Sequence, residues 1–296
     1  LIFAGFLMAR QGFPGAGFWA PTERVTYYLL FPALIVATMA GADLDGGQVA
    51  PMALVLVAAL LLVTLGVIAL RRHLGVDGPG LTSLIQGGTR MNTFICLAIA
   101  EALWGAPGLA LSAAAVAVIV PTANVICVLA LARFGAGTRP DLVGILRSLA
   151  RNPLIVATVL GLGLNVTGLG QPPVLGDLLE MLGRAALPLG LLAVGAALDF
   201  AALRRRAPVI AQSTAFKLLA VPALTAGLLA LAGVQGLAAT VALLFMGSPT
   251  AVSSYILARQ LGGDAPLMAG IVTAQTTLSL ITLPVVLGLA GAAYGG

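Results

Sequence analysis

Charge is what this 296-residue chain has least of. Only 8% of its residues are Asp, Glu, Lys or Arg, against about a quarter in a soluble globular domain. Aromatic residues make up 5%, and no basic run is interleaved with them. The net charge of +5 therefore does not describe a nucleic acid-binding surface, and no nucleic acid partner is expected. One histidine, His73 in a basic loop, excludes a histidine-built metal cluster. The two cysteines, Cys96 and Cys127, lie inside apolar runs, where packing rather than a disulfide is expected. No phosphate-binding loop, paired-cysteine motif or nucleophile elbow is present. An enzyme, a coupling ATPase, a resident metal and a cofactor are thus not expected.

Hydrocarbon is what the chain has in excess. Sixty per cent of residues are hydrophobic and the mean hydropathy is +1.08. A bilayer crossing takes about 20 apolar residues, so this length accommodates about ten with short loops. The expectation is one all-α polytopic membrane domain over residues 1–296, embedded in a lipid bilayer. No removable signal peptide pattern is present. Leu1 to Ala9 is apolar but too short to cross, so a first helix without its start is expected.

The apolar runs predict crossings at about 1–9, 25–42, 50–70, 82–104, 109–131, 153–169, 178–198, 208–231, 237–261 and 266–289. The longest polar connection, Arg133 to Arg151, divides them. Residues 1–134 read as a first set of five helices, 135–151 as a cytoplasmic linker and 152–296 as a second set. Counting Arg259 at the end of crossing nine, twelve of the fifteen Lys and Arg residues go with the connections after crossings one, three, five, seven and nine. By the positive-inside rule those connections are cytoplasmic and both termini lie outside. Pro32 and Pro188, Asp43 and Asp199, and Gly5 and Gly161 are each 156 residues apart. An odd number of crossings per half makes the two copies inverted, as in many secondary transporters.

Two apolar stretches are interrupted by polar residues. Arg90 to Gly105 reads RMNTFICLAIAEALWG, and Gly247 to Gly262 reads GSPTAVSSYILARQLG. Asn92 aligns with Pro249 at the same offset, 157, that aligns Gly105 with Gly262. Gln86, Thr89, Arg90 and Asn92 sit where hydrocarbon demands apolar groups. Pro249 removes a helical hydrogen bond, and Asn92 offers its side chain to the backbone. Backbone broken at membrane depth is tolerated only inside protein or beside a water-filled cavity. Each new half-helix starts with a partial positive charge, and two such ends facing one another favour an anion. A proline kink without a ligand is the plainer reading of Pro249 alone.

Lys217 lies nine residues past Pro208, hence roughly 13 Å into a core about 30 Å thick. An unpaired charge there costs several kcal/mol. Three roles stand open: attracting an anion, occupying the place of a coupling cation beside the broken helix, or pairing with a buried carboxylate. Asn124 beside Pro121, and Gln275 with Thr276 and Thr277, are candidates for lining a site. Asn165 reads as an interhelical hydrogen bond. Glu101 and Arg259 read as interfacial, Asp43 and Asp199 as helix-end residues. Gly161, Gly163, Gly168 and Gly170 read as close-packing positions.

GGTRMNTFICLAIAEALWG at 87–105, PTANV at 121–125, RNPLIVATVLGLGLN at 151–165, LPLGLLAVGAAL at 187–198, FKLLAVPAL at 216–224 and SPTAVSSYILARQLGGD at 248–264, in that order, resemble the auxin efflux carrier family in its short bacterial form. The resemblance covers essentially the whole chain. It implies ten transmembrane helices as two inverted five-helix repeats, a fold related to bile acid–sodium symporters. It further implies a scaffold of helices one, two, six and seven, a homodimer, a mobile transport unit, and a site where broken helices four and nine cross. Asn92, Asn124 and Pro249 match the family's substrate-site positions. Met91 stands where plant members have proline, and Ala98 near a second proline of bacterial members, so a milder break is expected in helix four. The long cytoplasmic loop of plant carriers is absent.

The resulting expectation is a secondary transporter for a small organic anion in a bacterial inner membrane, with elevator-like alternating access. Asn92, Asn124, Thr250, Ser253 and Gln275 are expected to supply hydrogen bonds, Pro249 the break and Lys217 the positive field. A sodium-coupled symporter of the bile acid type and a non-transporting membrane receptor are the alternatives. Dicarboxylates and indole-type acids both fit, and neither coupling ion nor direction follows.

Overall fold

In the computed structural model the described residues are 1–15, 17–41, 46–136, 153–170, 173–204 and 206–294. Asp43, Arg205 and most of the expected cytoplasmic linker lie outside them. All regular structure among the described residues is helical. In hydrocarbon every backbone N–H and C=O must find its partner within the chain, and a helix satisfies its own.

Thirteen α-helices are labelled in chain order. They are α1 (Ile2–Arg10), α2 (Trp19–Val25), α3 (Phe31–Ala40), α4 (Gly46–Ala69), α5 (Gly78–Thr89), α6 (Thr93–Phe134) and α7 (Pro153–Val166). There follow α8 (Pro173–Ala196), α9 (Ala207–Ala215), α10 (Val221–Ala232), α11 (Gly236–Gly247), α12 (Ser253–Leu261) and α13 (Ala265–Tyr294). Among the described residues five helical stretches are long and apolar enough to cross a bilayer. The 57-residue stretch Gly78–Phe134 is not one rod. The chain leaves helical geometry at Arg90 (φ −84°, ψ 154°) and again at Gly105 (φ 57°, ψ −141°).

Two helices contain one wide π turn each, Thr26–Leu30 and Phe216–Ala220. Each precedes a proline at the same distance, Pro32 and Pro222. A proline lacks an N–H and its ring crowds the carbonyl four residues back. Widening the preceding turn relieves that crowding without ending the helix.

The chain forms two compact units. One comprises Leu1–Leu44, Phe94–Ala117 and Arg147–Leu198, the other Asp45–Thr93, Val118–Leu146 and Asp199–Gly296. Each draws on both halves of the sequence. The first holds helices one, two, six and seven together with Phe94–Ala117, parts of helices four and five that the expected division places in the mobile unit. Within it α1 lies directly on α8, because Gly5 faces the Leu192 backbone and Gly195 faces the Ile2 carbonyl. Any side chain at either position would have to push the helices apart. Gly161 of α7 packs on Val36 and Met39 of α3, and Asn165 Nδ2 donates to the Ala40 carbonyl at 3.3 Å. The packing expected of Gly161 and Asn165 is therefore present. Gly163 faces open space, and Gly168 and Gly170 do not pack either: their φ angles of 70° and 58° let the chain turn after α7. In the second unit α4, α5, α9, α10, α11, α12 and α13 pack together. Asp199 ends a helix as expected, its Oδ1 accepting from the Ala201 and Ala202 N–H groups. Glu101 and Arg259 are exposed.

Candidate functional site

Two interruptions in the second unit build the site. After α5 stops at Thr89, Arg90 is extended and α6 starts at Thr93. After α11 stops at Gly247, Ser248 is extended (φ −72°, ψ 154°) and α12 starts at Ser253. Pro249 cannot donate to the Phe245 carbonyl, and the Ser248 hydroxyl takes that carbonyl at 2.7 Å instead. The interruptions are bonded to each other, since the Asn92 N–H donates to the Pro249 carbonyl at 2.7 Å. Asn92 is 2% exposed and Thr250 is fully enclosed. A short backbone bond between two breaks satisfies groups that lost their helical partners and locks the segments in register.

The carbonyl end of α5 is held by three side chains from elsewhere in the unit. The Gln86 carbonyl accepts from the Arg90 N–H at 2.9 Å and from Thr250 Oγ1 at 3.2 Å. The Gly87 carbonyl accepts from Gln275 Nε2 at 3.2 Å. The Gly88 carbonyl accepts from Lys217 Nζ at 3.3 Å. Gln275 Oε1 in turn accepts from the Thr250 N–H at 2.9 Å, and its Nε2 also reaches the Ser213 carbonyl at 3.5 Å. Glycine at 87 and 88 makes this approach possible. A Cβ on Gly87 would stand 2.9 Å from Ser213 Oγ and 3.0 Å from Ile271, and one on Gly88 would stand 3.1 Å from Val63.

Beyond that braced end stands Arg90. Its Nη1 donates to Asn124 Oδ1 at 2.9 Å and its Nη2 to Ser253 Oγ at 3.0 Å. Asn124 lies on α6 one turn beyond Pro121, and Ser253 opens α12. Both acceptors are neutral. Among the described residues Arg90 makes no ion pair with a carboxylate, and its enclosed Nε has no hydrogen-bond partner. A guanidinium carries five N–H donors, so several stay available. One helical turn earlier, the side-chain amide of Gln86 is fully enclosed, and neither its oxygen nor its nitrogen has a partner among the described residues. Cys127 Sγ lies 3.6 Å from Thr89 Oγ1, beside this cluster.

The residues singled out by sequence thus fall into two groups. Asn124, Ser253 and Asn92 gather at the breaks around Arg90. Thr250, Gln275 and Lys217 hold the α5 terminus, and Pro249 supplies the carbonyl that joins the breaks. Arg90 was legible as part of the polar cluster but carried no ligand role. The missed signal was its position, an arginine at the first non-helical residue of an interrupted apolar run.

A family model described as membrane transport protein matches residues 112–287 of this chain. A protein of Methanothermobacter thermautotrophicus named as an uncharacterized transporter is 26% identical over 294 residues, covering 96% of this chain and 93% of the relative.

Proposed function

We propose, from the premise that the chain belongs to the membrane transport protein family, the family of the auxin efflux carriers, that it is a secondary transporter for small organic anions. Membrane transport and a multi-pass architecture come with the family; the anion, the site and the movement are our reading.

The observation that carries it is the Arg90 guanidinium at the joined breaks. It is partly shielded from water, is held by two neutral acceptors with the Cys127 thiol also against it, and has no carboxylate partner among the described residues. A shielded charge without a counterion is costly. A substrate carboxylate supplies that counterion and accepts a charge-assisted, two-pronged hydrogen bond from the free guanidinium N–H groups. The amide of Gln86 offers a further donor and acceptor, and Asn92 lies at the same break. The N-terminal end of α12 adds partial positive charge. Thr250, Gln275 and Lys217 keep the cradle in shape rather than touching the anion. All of these residues belong to the second compact unit. That supports an elevator-like cycle in which this unit carries the bound anion between the two sides of the membrane. Gly105 and Gly262, each at positive φ at the end of the second part of a broken segment, support an inverted repeat. The setting of the reading is a homodimer in a bacterial inner membrane with both termini periplasmic.

The test is uptake of labelled mono- and dicarboxylates and indole-type acids into proteoliposomes. Wild-type protein should move at least one acid, and Arg90→Gln should lose at least about thirtyfold in kcat/KM, the about 2 kcal/mol expected when one partner of a shielded charge pair is truncated. Normal flux through Arg90→Gln overturns the reading. Acid binding without flux selects the receptor instead.

A further inference from the structure

The end of α5 that Lys217 touches is the electronegative pole of a half-helix, and the lysine is fully buried against it. We propose that the Lys217 ammonium is a tethered cation that permanently fills the place a dissociable metal cation would take at this helix end, so that anion transport proceeds without a co-bound sodium ion. The inference rests on the transporter reading and adds its cation requirement.

Three features carry it. The first is valence. Three successive carbonyls, of Gln86, Gly87 and Gly88, converge at the terminus, and each already accepts from a side chain: Thr250, Gln275 and Lys217 respectively. A hard cation needs several oxygen ligands turned toward it. Here those oxygens face donors, and the full positive charge is the lysine's. The second is placement. Lys217 lies in the π turn Phe216–Ala220, which shifts the register of its helix before Pro222. Wide turns of this kind recur where a side chain must be presented out of the regular helical sequence. The third is fit. A Cβ on Gly88 would stand 3.1 Å from Val63 and 3.5 Å from Phe216, so glycine there lets the helix end lie close against the segment that carries the ammonium. A fixed charge neutralises the helix end as a bound metal would, but it travels with the site and never dissociates. It draws no energy from a cation gradient.

The experiment has two readouts. Initial uptake by wild-type protein is measured with sodium replaced by potassium or choline. Thermal stability of detergent-purified wild type and Lys217→Ala is measured with sodium chloride, choline chloride and propylammonium chloride, the last restoring the deleted part of the side chain. Wild-type uptake should vary by less than about twofold between cations, and its melting temperature should not respond to sodium. Lys217→Ala should lose at least about tenfold in uptake, and both its uptake and its melting temperature should rise with propylammonium at tens of millimolar, as for any ligand bound only by the folded state. Wild-type uptake that collapses without sodium overturns the proposal. So does Lys217→Ala transporting normally in choline. If that variant does not fold, the wild-type sodium arm decides. If wild type moves no acid, the transporter reading has failed, and the melting-temperature arm alone tests the tethered cation: sodium raising the wild-type value overturns it.

Discussion

Asn124→Asp tests the site with almost no change of shape. Asn124 Oδ1 already lies 2.9 Å from Arg90 Nη1, so the substituted carboxylate needs no rearrangement to meet the guanidinium. It installs a permanent counterion where a substrate carboxylate is proposed to bind. With the charge centres about 4 Å apart and an effective dielectric near 20, the attraction is about 4 kcal/mol. The new carboxylate gives part of that back, because ordering and dehydrating it in a half-buried position costs a share of its hydration. A net preference of about 2 kcal/mol for the internal pair remains, which corresponds to a roughly thirtyfold loss in anion affinity. Substrate-induced thermal shift gives the affinity and proteoliposome uptake gives KM. The apo variant should be at least as stable as wild type, since a lone shielded charge has gained a partner. Asn124→Ala is the control: it removes one acceptor but leaves the guanidinium uncompensated, and its affinity should fall by less than about fivefold. If Asn124→Asp binds acids as tightly as wild type, Arg90 is not the anion's partner. If both variants weaken binding equally, the amide matters and the charge does not.

Other substitutions separate shape from chemistry. Gln86→Met removes a buried amide that has no partner among the described residues; thermal unfolding should show stability unchanged or about 1 kcal/mol higher, since burying such a group is costly, while uptake falls. Unchanged uptake removes Gln86 from the site. Gly87→Ala drives a methyl to 2.9 Å from Ser213 Oγ and 3.0 Å from Ile271, so it should destabilise by about 1–3 kcal/mol through overpacking. Gly105→Ala meets nothing within 4 Å; any loss of stability there, about 1–3 kcal/mol, comes from forcing a side chain to φ 57°, ψ −141°. A neutral Gly105→Ala in the melting assay contradicts that account.

Much of the architecture was legible because the bilayer imposes a simple rule on sequence. Residues must be apolar where lipid surrounds them, and backbone groups must be paired within the chain. Runs of Leu, Val and Ala therefore marked helices, and polar residues at 86–92 and proline at 249 marked the two places where a helix stops. Small residues in apolar runs were less decisive. Gly161 packs against a neighbouring helix, whereas Gly168 and Gly170 hold a turn, and the same residue type serves both purposes. The grouping of helices was not local either. Both compact units take segments from each half of the chain, and no residue pattern within one segment encodes its partner.

What the sequence by itself determined is that this is a helical membrane protein with two interrupted segments and a cation, Lys217, in an otherwise uncharged helix. What only the tertiary structure decided is who meets whom. Gln275, read as a ligand, spends both ends of its amide on backbone groups that two breaks had left without helical partners. Lys217, read as a field for an anion, is turned onto a carbonyl from a segment 129 residues away. Arg90, read as one polar residue among several, keeps donors to spare. The physical reason is that a chain announces locally which groups hydrocarbon cannot tolerate, while the partners that make them tolerable arrive from distant segments and leave no trace beside them.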